Sequence, residues 1–414
     1  MKYNSFFILL FFSLTVFSQT SDENIETTGY FVLDCMDNDT LFRSMPNLNE
    51  YKRVEFRDNT DRYNYGEFGP CVLPKEITKF TALDSLITHG VGLVEELNTL
   101  PQLSFLSTDA YYIPKIPQLK SIHYSAVGDS LPANIFDCTK LESLSYMCTG
   151  EKIIGFDDYK EQNLVQPNDW SYYMEEVSKI KSLKSLKIDK AFDGYNLSID
   201  TISSLPESFC EMKNLSRLEL LVPGVVHIPA SISKLSNLHY LKIRSGEEEL
   251  PSEFSKLQLL DTLIISGDSR FPNEKVIYPN LKVLACSNSY LPLLPELRYL
   301  EFTGDSLSEN ILVCTKMDSI FYSSYNSNNP LALKSSLNSF TIFSKLKSLK
   351  SISYSNYTLD KGFVPMLISL ASTFKNVPDL KTIKVRGRSA DKKLIDELTD
   401  AYKKHGISFQ YSAN

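Results

Sequence analysis

Residues 205–267 read LPESFCEMKNLSRLELLVPGVVHIPASISKLSNLHYLKIRSGEEELPSEFSKLQLLDTLIISG and repeat one phrase three times. The copies are LPESFCEMKNLSRLEL, IPASISKLSNLHYLKI and LPSEFSKLQLLDTLII, starting at Leu205, Ile228 and Leu250. Each ends in an alternating apolar run: Leu215, Leu218 and Leu220, then Leu238, Leu241 and Ile243, then Leu260, Leu263 and Ile265. Alternation of this kind puts every second side chain of a strand on one face. A unit of 22–23 residues is too short to enclose a core of its own. Its apolar edge is buried only by a neighbouring copy, so the units must stack as a solenoid.

The phrase recurs at 73–88 (LPKEITKFTALDSLIT) and 131–146 (LPANIFDCTKLESLSY). Its strand half recurs alone as PQLSFLST, PQLKSIHY, KSLKSLKI, PNLKVLAC, PELRYLEF, TKMDSIFY, KSLKSISY and PDLKTIKV. The leading leucine, once a methionine, falls at 83, 103, 119, 141, 183, 215, 238, 260, 281, 297, 317, 349 and 380. Tyr51, Val54 and Phe56 read as a divergent first strand. In these motifs the chain resembles the leucine-rich repeat family in its LPxxIxxLxxLxxLxL form, over about residues 48–388. The resemblance implies an α/β solenoid: a curved parallel sheet of roughly fourteen strands on the concave face, with extended segments and short helices on the convex face. Two departures stand out. The asparagine that the family places three residues after the last strand leucine is replaced by Pro223, Gly246, Asp268, Ser289 and Asp305, which predicts irregular loops. The leading leucines are also unevenly spaced, from 16 residues (103 to 119) to 42 (141 to 183).

The chain has 414 residues, and a repeat array accommodates that length without splitting into domains. Its formal charge of −7 argues against nucleic acid or an anionic membrane as the main partner. The first residues, MKYNSFFILLFFSLTVFSQT, place Lys2 before an apolar run at 6–12, with Val16 and Ser18 at −3 and −1 of a cut before Gln19. That is the pattern of a cleaved secretory leader over 1–18, too short for a membrane span. Gln19 at the first mature position and the Asn/Lys/Ser-rich usage point to a Gram-negative bacterial protein, in the periplasm, on the surface or released. Residues 19–72 read as an N-terminal cap, 73–388 as about 13 repeat strands and 389–414 as a C-terminal cap.

The seven cysteines divide by frame position. Cys138 and Cys314 sit in the leucine slot of IxxLxxL and Cys286 in the last strand slot, so all three are expected to be buried. Cys35 and Cys71 precede the first clear repeat. Caps of secreted members of the family often carry disulfides, which makes this pair the disulfide candidate; two free buried thiols are the alternative. In NDWSYYMEEVSKI (168–180), Trp170, Tyr173, Met174, Val177 and Ile180 share one helical face, with Asp169 as N-cap. Trp170 is read as packing the convex core, with an exposed anchor as the alternative. Residues 364–374 also read helical. Near the C-terminus, Ser389 or Asp391 caps a helix with the stripe Leu394, Ile395, Leu398 and Tyr402, ended by Gly406. Ile407–Tyr411 then alternates as a final strand.

No P-loop, GxGxxG, HExxH, CxxC or GxSxG motif occurs, and the five histidines show no ligand spacing, so neither metal nor cofactor is expected. His89, Asp109 and Ser125 share one frame position on successive repeats, but in the wrong order for a relay, which needs His in the middle. A polar rim patch is expected there, and no enzyme. The concave face is where residues flanking the strand leucines project: Arg217, Glu219 and Leu221, then Tyr240, Lys242 and Arg244. Thr262 and Ile264, Val283 and Ala285, Tyr299 and Glu301, and Phe321 follow. Ser351, Ser353 and Ser355, and then Lys384 and Arg386, complete the face. Arg and Tyr are enriched where interfaces draw their energy. Arg217, Glu219, Tyr240, Lys242, Arg244, Tyr299, Glu301 and Phe321 are therefore the expected binding residues, a solvated polar sheet face being the alternative. The expected function is recognition of a protein partner by a monomer. The alternatives are a glycan stacked on Tyr240, Tyr299 and Phe321, or a structural, adhesive surface role.

Overall fold

The computed structural model describes residues 28–33, 47–58, 71–110, 112–126, 132–148, 171–190, 204–225, 227–323 with short internal gaps, 338–355, 363–387 and 391–413. The residues read as a secretory leader, Cys35, Asp169 and Trp170 lie outside the described residues.

The fold is a leucine-rich repeat solenoid built on one parallel sheet of 16 strands. Its first half comprises β1 (Thr28–Leu33), β2 (Arg53–Asp58), β4 (Ser85–His89), β6 (Phe105–Thr108), β7 (Ser121–Ala126), β8 (Ser143–Cys148), β9 (Ser185–Lys190) and β10 (Arg217–Val225). The second half comprises β11 (Tyr240–Ser245), β12 (Thr262–Ser266), β13 (Val283–Cys286), β14 (Tyr299–Thr303), β15 (Ser319–Ser323), β16 (Ser351–Ser355), β17 (Thr382–Gly387) and β18 (Ser408–Ala413). Spatial order follows chain order throughout. Two short strands, β3 (Cys71–Val72) and β5 (Val91–Gly92), pair separately. Each strand predicted from a leading leucine begins two residues after it. The main addition is β1, which pairs in register with β2, Thr28 against Arg53. Residues 28–33, read as cap, thus belong to the sheet.

The inward strand positions form the core. Leu218, Leu220, Leu241, Ile243, Leu263 and Ile265 are all at most 4% exposed. The LPxxI half of the phrase makes a 3₁₀ turn on the convex side. Pro74, Pro132, Pro229 and Pro251 each precede such a turn. Pro suits this place because it has no N–H to lose and its φ is already set. Its carbonyl accepts from the third residue on, as in Ile77 N–H to Pro74 O and Ile232 N–H to Pro229 O, both 3.0 Å, and Ile77 and Ile232 point into the core.

Neighbouring repeats are also locked by backbone. One carbonyl just before each strand accepts two N–H groups of the next repeat: Lys184 O takes Ser216 and Arg217 (2.8 and 3.0 Å), and Ser216 O takes His239 and Tyr240 (2.9 and 3.1 Å). The side-chain ladder absent from the family's usual slot is rebuilt one residue before the leading leucine. Asn214, Asn237 and Asn280 donate there to the carbonyls of Lys181, Lys213 and Gln258 at 2.8, 2.7 and 2.6 Å. Gln118, Ser182 and Ser348 occupy the same slot and reach Leu100, Leu141 and Met317 carbonyls. Leu259 breaks the series and is 44% exposed.

Cys138, Cys286 and Cys314 are buried as expected, and so is Cys210. Burial pushes the Cys314 thiol up to about 12. Cys71 is buried too, and its expected partner Cys35 lies outside the described residues. Helix α1 (Ser171–Val177) buries Tyr173, Met174 and Val177 of the predicted stripe and ends before Ile180. Helix α2 (Phe363–Phe374) and helix α3 (Lys392–Lys403) cover the convex side at the C-terminal end, where Leu398 and Tyr402 are buried.

Candidate functional site

Strand register converts the sequence frame into rows across the concave face. One row runs Arg217, Tyr240, Thr262, Val283, Tyr299, Ser319. The next runs Glu219, Lys242, Ile264, Ala285, Glu301, Phe321. Arg244 lies one position further along β11. With strands about 4.8 Å apart, Tyr240 and Tyr299 stand roughly 14 Å from each other along the sheet. The eight expected residues therefore form two groups rather than one.

In the first group Arg217 is stacked and paired. Its guanidinium carbon lies 3.7 Å from the centre of the Tyr240 ring, and its Nε donates to Glu219 Oε1 at 2.9 Å. Glu219 is 7% exposed, so its charge is shielded from water and neutralised by Arg217. A guanidinium over an aromatic face adds cation–π attraction. The trio is a rigid brace: Arg217 fixes the ring, and Glu219 fixes Arg217. Burial, and then the nearby Glu219 carboxylate, raise the Tyr240 phenol above its ordinary value. Lys242 lies beside Glu219 in register and Arg244 is exposed.

In the second group Tyr299 stands two positions before Glu301 on β14, both facing outward. Burial pushes the Tyr299 phenol up to about 12, with the Glu301 charge and hydrogen bond adding to the rise. Arg386, on β17, acts in the opposite direction on the same phenol. Phe321 is half-buried beside Glu301 in register.

Between the groups, β12 and β13 present Thr262, Ile264, Val283 and Ala285, an uncharged floor of short side chains. The sequence reading placed these residues on the face and left them out of the site. It also left out Lys384 and Arg386, which stand on the next charged strand after Ser351, Ser353 and Ser355. The signal that finds both is the same alternation, followed along all strands instead of only where Arg and Tyr cluster.

His89, Asp109 and Ser125 do not assemble. Both Asp109 carboxylate oxygens accept from the Gly90 N–H at 2.9 Å. Gly90 has φ 69°, the left-handed region that favours glycine, so Asp109 serves to hold a turn. His89 Nε2 faces Glu55 Oε1 at 3.7 Å instead. Burial, followed by the charges of Lys187 and His89, lowers the His123 pKa. Among the described residues no cluster of His, Cys, Asp and Glu could hold a metal ion, and no helix is long and apolar enough to cross a membrane.

No protein-family model matches the chain. No curated protein matches it either. Among solved structures it is similar to a leucine-rich repeat protein of Leptospira interrogans, at 18% identity and a TM-score of 0.53, covering 90% of this chain and 86% of that one. An internalin from Listeria monocytogenes aligns at 10% identity over 88% of this chain and 82% of its own, with a TM-score of 0.40, too loose a fit to carry an argument.

Proposed function

We propose that the chain is a non-catalytic recognition protein that binds a protein partner on the concave face of β10–β15, and that it is exported by cleavage of its leader near Ser18/Gln19. The observation that carries this reading is a pair of aromatic walls, one of them braced. Tyr240 is fixed by Arg217, and Tyr299 stands three strands away with an uncharged floor between them. Rigid aromatic anchors lose little conformational freedom on binding, which is why such residues dominate interface energetics. The chain has a formal charge of −7, yet Lys242 and Arg244 lie together on this face. Charge complementarity of that kind steers a partner and fixes its register. A stacked sugar fits less well, because the Arg217 guanidinium already lies on one face of the Tyr240 ring.

The test is affinity capture from the native medium. It compares the wild-type protein with a concave variant (Lys242→Ser with Phe321→Ser) and with a convex control (Val313→Ser). Both substitutions in the concave variant leave the Arg217–Glu219–Tyr240 brace intact. Proteins retained by wild type and the control but lost from the concave variant support the reading. Capture that is equal on all three, or glycan-array binding that the concave variant abolishes, would refute it.

A further inference from the structure

We infer that the concave face takes an extended, roughly nine-residue polypeptide segment with an apolar centre and an acidic residue near each end, running across the strands from β11 to β17. This rests on the concave-face reading above and goes further in naming the chemistry of the partner.

The argument starts from the distribution of charge. From β11 to β17 the outward-facing basic side chains sit at the two ends, Lys242 and Arg244 on β11 and Lys384 and Arg386 on β17. No basic residue faces outward on β12 to β16; the outward positions there are Thr, Ile, Val, Ala, Ser, Tyr, Phe and the single acid Glu301. That acid lies centrally, so a second carboxylate over the middle of the face is repelled. The cations just before the middle strands, Lys282, Arg298 and Lys350, are already paired with Asp261 and Asp318, so acidic groups are drawn to the two ends.

Spacing sets the length. β11 and β17 are six strand intervals apart, and at about 4.8 Å each the span is roughly 29 Å along the sheet. An extended chain rises about 3.3 Å per residue, so roughly nine residues bridge the two basic ends. A helix rising about 1.5 Å per residue would need close to twenty residues to reach both basic ends. The floor sets the composition. Ile264, Val283 and Ala285 line the strip between the walls at Tyr240 and Tyr299, and Phe321 adds an apolar side chain beyond Glu301, toward β16. On β16 the outward residues are Ser351, Ser353 and Ser355, small and neutral, which admit the chain on its way to Lys384 and Arg386 without selecting a side chain. The charge of Arg386 opposes the rise of the Tyr299 phenol, in keeping with a β17 cation on the same side as the second wall.

The experiment is selection from a displayed library of random nine-residue peptides on the immobilised protein. The enriched sequences should carry Asp or Glu near both ends and Leu, Ile, Val or Phe in the middle. The best peptide should lose affinity as salt is raised. Selection on a Lys384→Ser, Arg386→Ser variant should lose the acidic preference at one end only, and on a Lys242→Ser, Arg244→Ser variant at the other end only. The wild-type peptide should bind either variant roughly tenfold more weakly. All four substitutions are at outward positions, and a preserved melting temperature separates lost binding from lost folding. The inference is overturned by a selection that enriches nothing. It is equally overturned by acids with no fixed spacing, or by the same consensus from wild type and both variants. If capture fails on the Lys242→Ser, Phe321→Ser variant while no such consensus emerges, the concave-face reading stands and this inference alone falls. If capture is unaffected by that variant and a consensus sensitive to both basic pairs emerges, the inference stands for peptides and the native partner binds elsewhere.

Discussion

At the scale of single residues, alternate positions on one strand have opposite roles. Leu241 is 1% exposed and pairs in register with Leu218 and Leu263, while Lys242 faces the open side. Leu241→Ala should cost about 2–5 kcal/mol through lost burial and the cavity left behind. Lys242→Ala should cost roughly 0.5 kcal/mol or less. Urea melts of the two variants check this, and comparable losses would mean that the register is wrong. A gain is expected at Leu259, where an exposed leucine fills the slot that Asn214, Asn237 and Asn280 use to reach the preceding repeat. Leu259→Asn should raise stability by about 0.5–1.5 kcal/mol, the ordinary net value of one hydrogen bond. No rise in the melting midpoint would show that the ladder adds nothing to stability. The inward and outward assignment was legible because period-two alternation depends only on strand geometry. The ladder was not, because it was sought after the strand, where the family keeps it, although Asn stands before the leading leucine in KNL, SNL and PNL. Nor was the Arg217–Tyr240 stack legible. It depends on which rotamer Arg217 adopts and on Glu219 being buried beneath it, and neither follows from spacing.

At the scale of elements, the strands were easier to read than what joins them. Twelve leading leucines and Met317 place thirteen strands because each must bury the same side chains against its neighbours. β1 escaped notice since TGYFVL lacks the leading leucine and its register is set only by pairing with β2. Helix α1 was overextended because an apolar stripe continues past its end into Ile180, which is buried in the following turn. At the C-terminal cap the alternatives Ser389 and Asp391 are resolved. The Asp391 carboxylate accepts from the Lys393 N–H at 2.9 Å and opens α3. Tyr402, on the same helix, donates its hydroxyl to the Leu367 carbonyl of α2 at 2.8 Å, so α3 is tied to the element before it. Asp391→Ala should cost about 0.5–2 kcal/mol, since one orphan N–H of the first turn loses its acceptor. Hydrogen exchange should show faster opening confined to α3 and β18; opening spread across the whole chain would argue that the cap closes the stack rather than one helix.

At the scale of the whole molecule, charged pairs bridge one repeat to the next along exposed edges. Lys184 holds Glu142 at 2.9 Å and Lys234 holds Glu211 at 2.6 Å. In each case the hydrogen bond from the lysine, with its charge, keeps the carboxyl below its ordinary value of 4.5. A carboxylate whose pKa is lower folded than unfolded adds stability that is present above the unfolded value and disappears as pH falls through the folded one. Stability should therefore decline on acidification below about pH 4.5, and a Lys184→Ala, Lys234→Ala variant should decline less steeply. Both pairs are exposed, so the difference should be small and should vanish in about 1 M salt. Urea midpoints at neutral and acidic pH decide it: equal slopes with and without the lysines would remove these pairs from the account.

The strict agreement of spatial and chain order has a mechanical consequence. In the sheet no strand is inserted between two others out of turn, and each repeat is held by its sequence neighbours through the ladder and the carbonyl before it. A load applied at the two ends therefore meets one repeat at a time, and among the described residues no strand ties the middle together. Local contacts of this kind re-form without long loop closure. Pulled from its termini in an optical trap, the chain should lengthen in a series of small steps and recoil through the same steps on release. A single large rupture would mean that distant repeats are bound to each other in some way the sheet does not provide. A recognition surface on such a coil would lengthen under strain before it broke, and its rows of side chains would draw apart as it did.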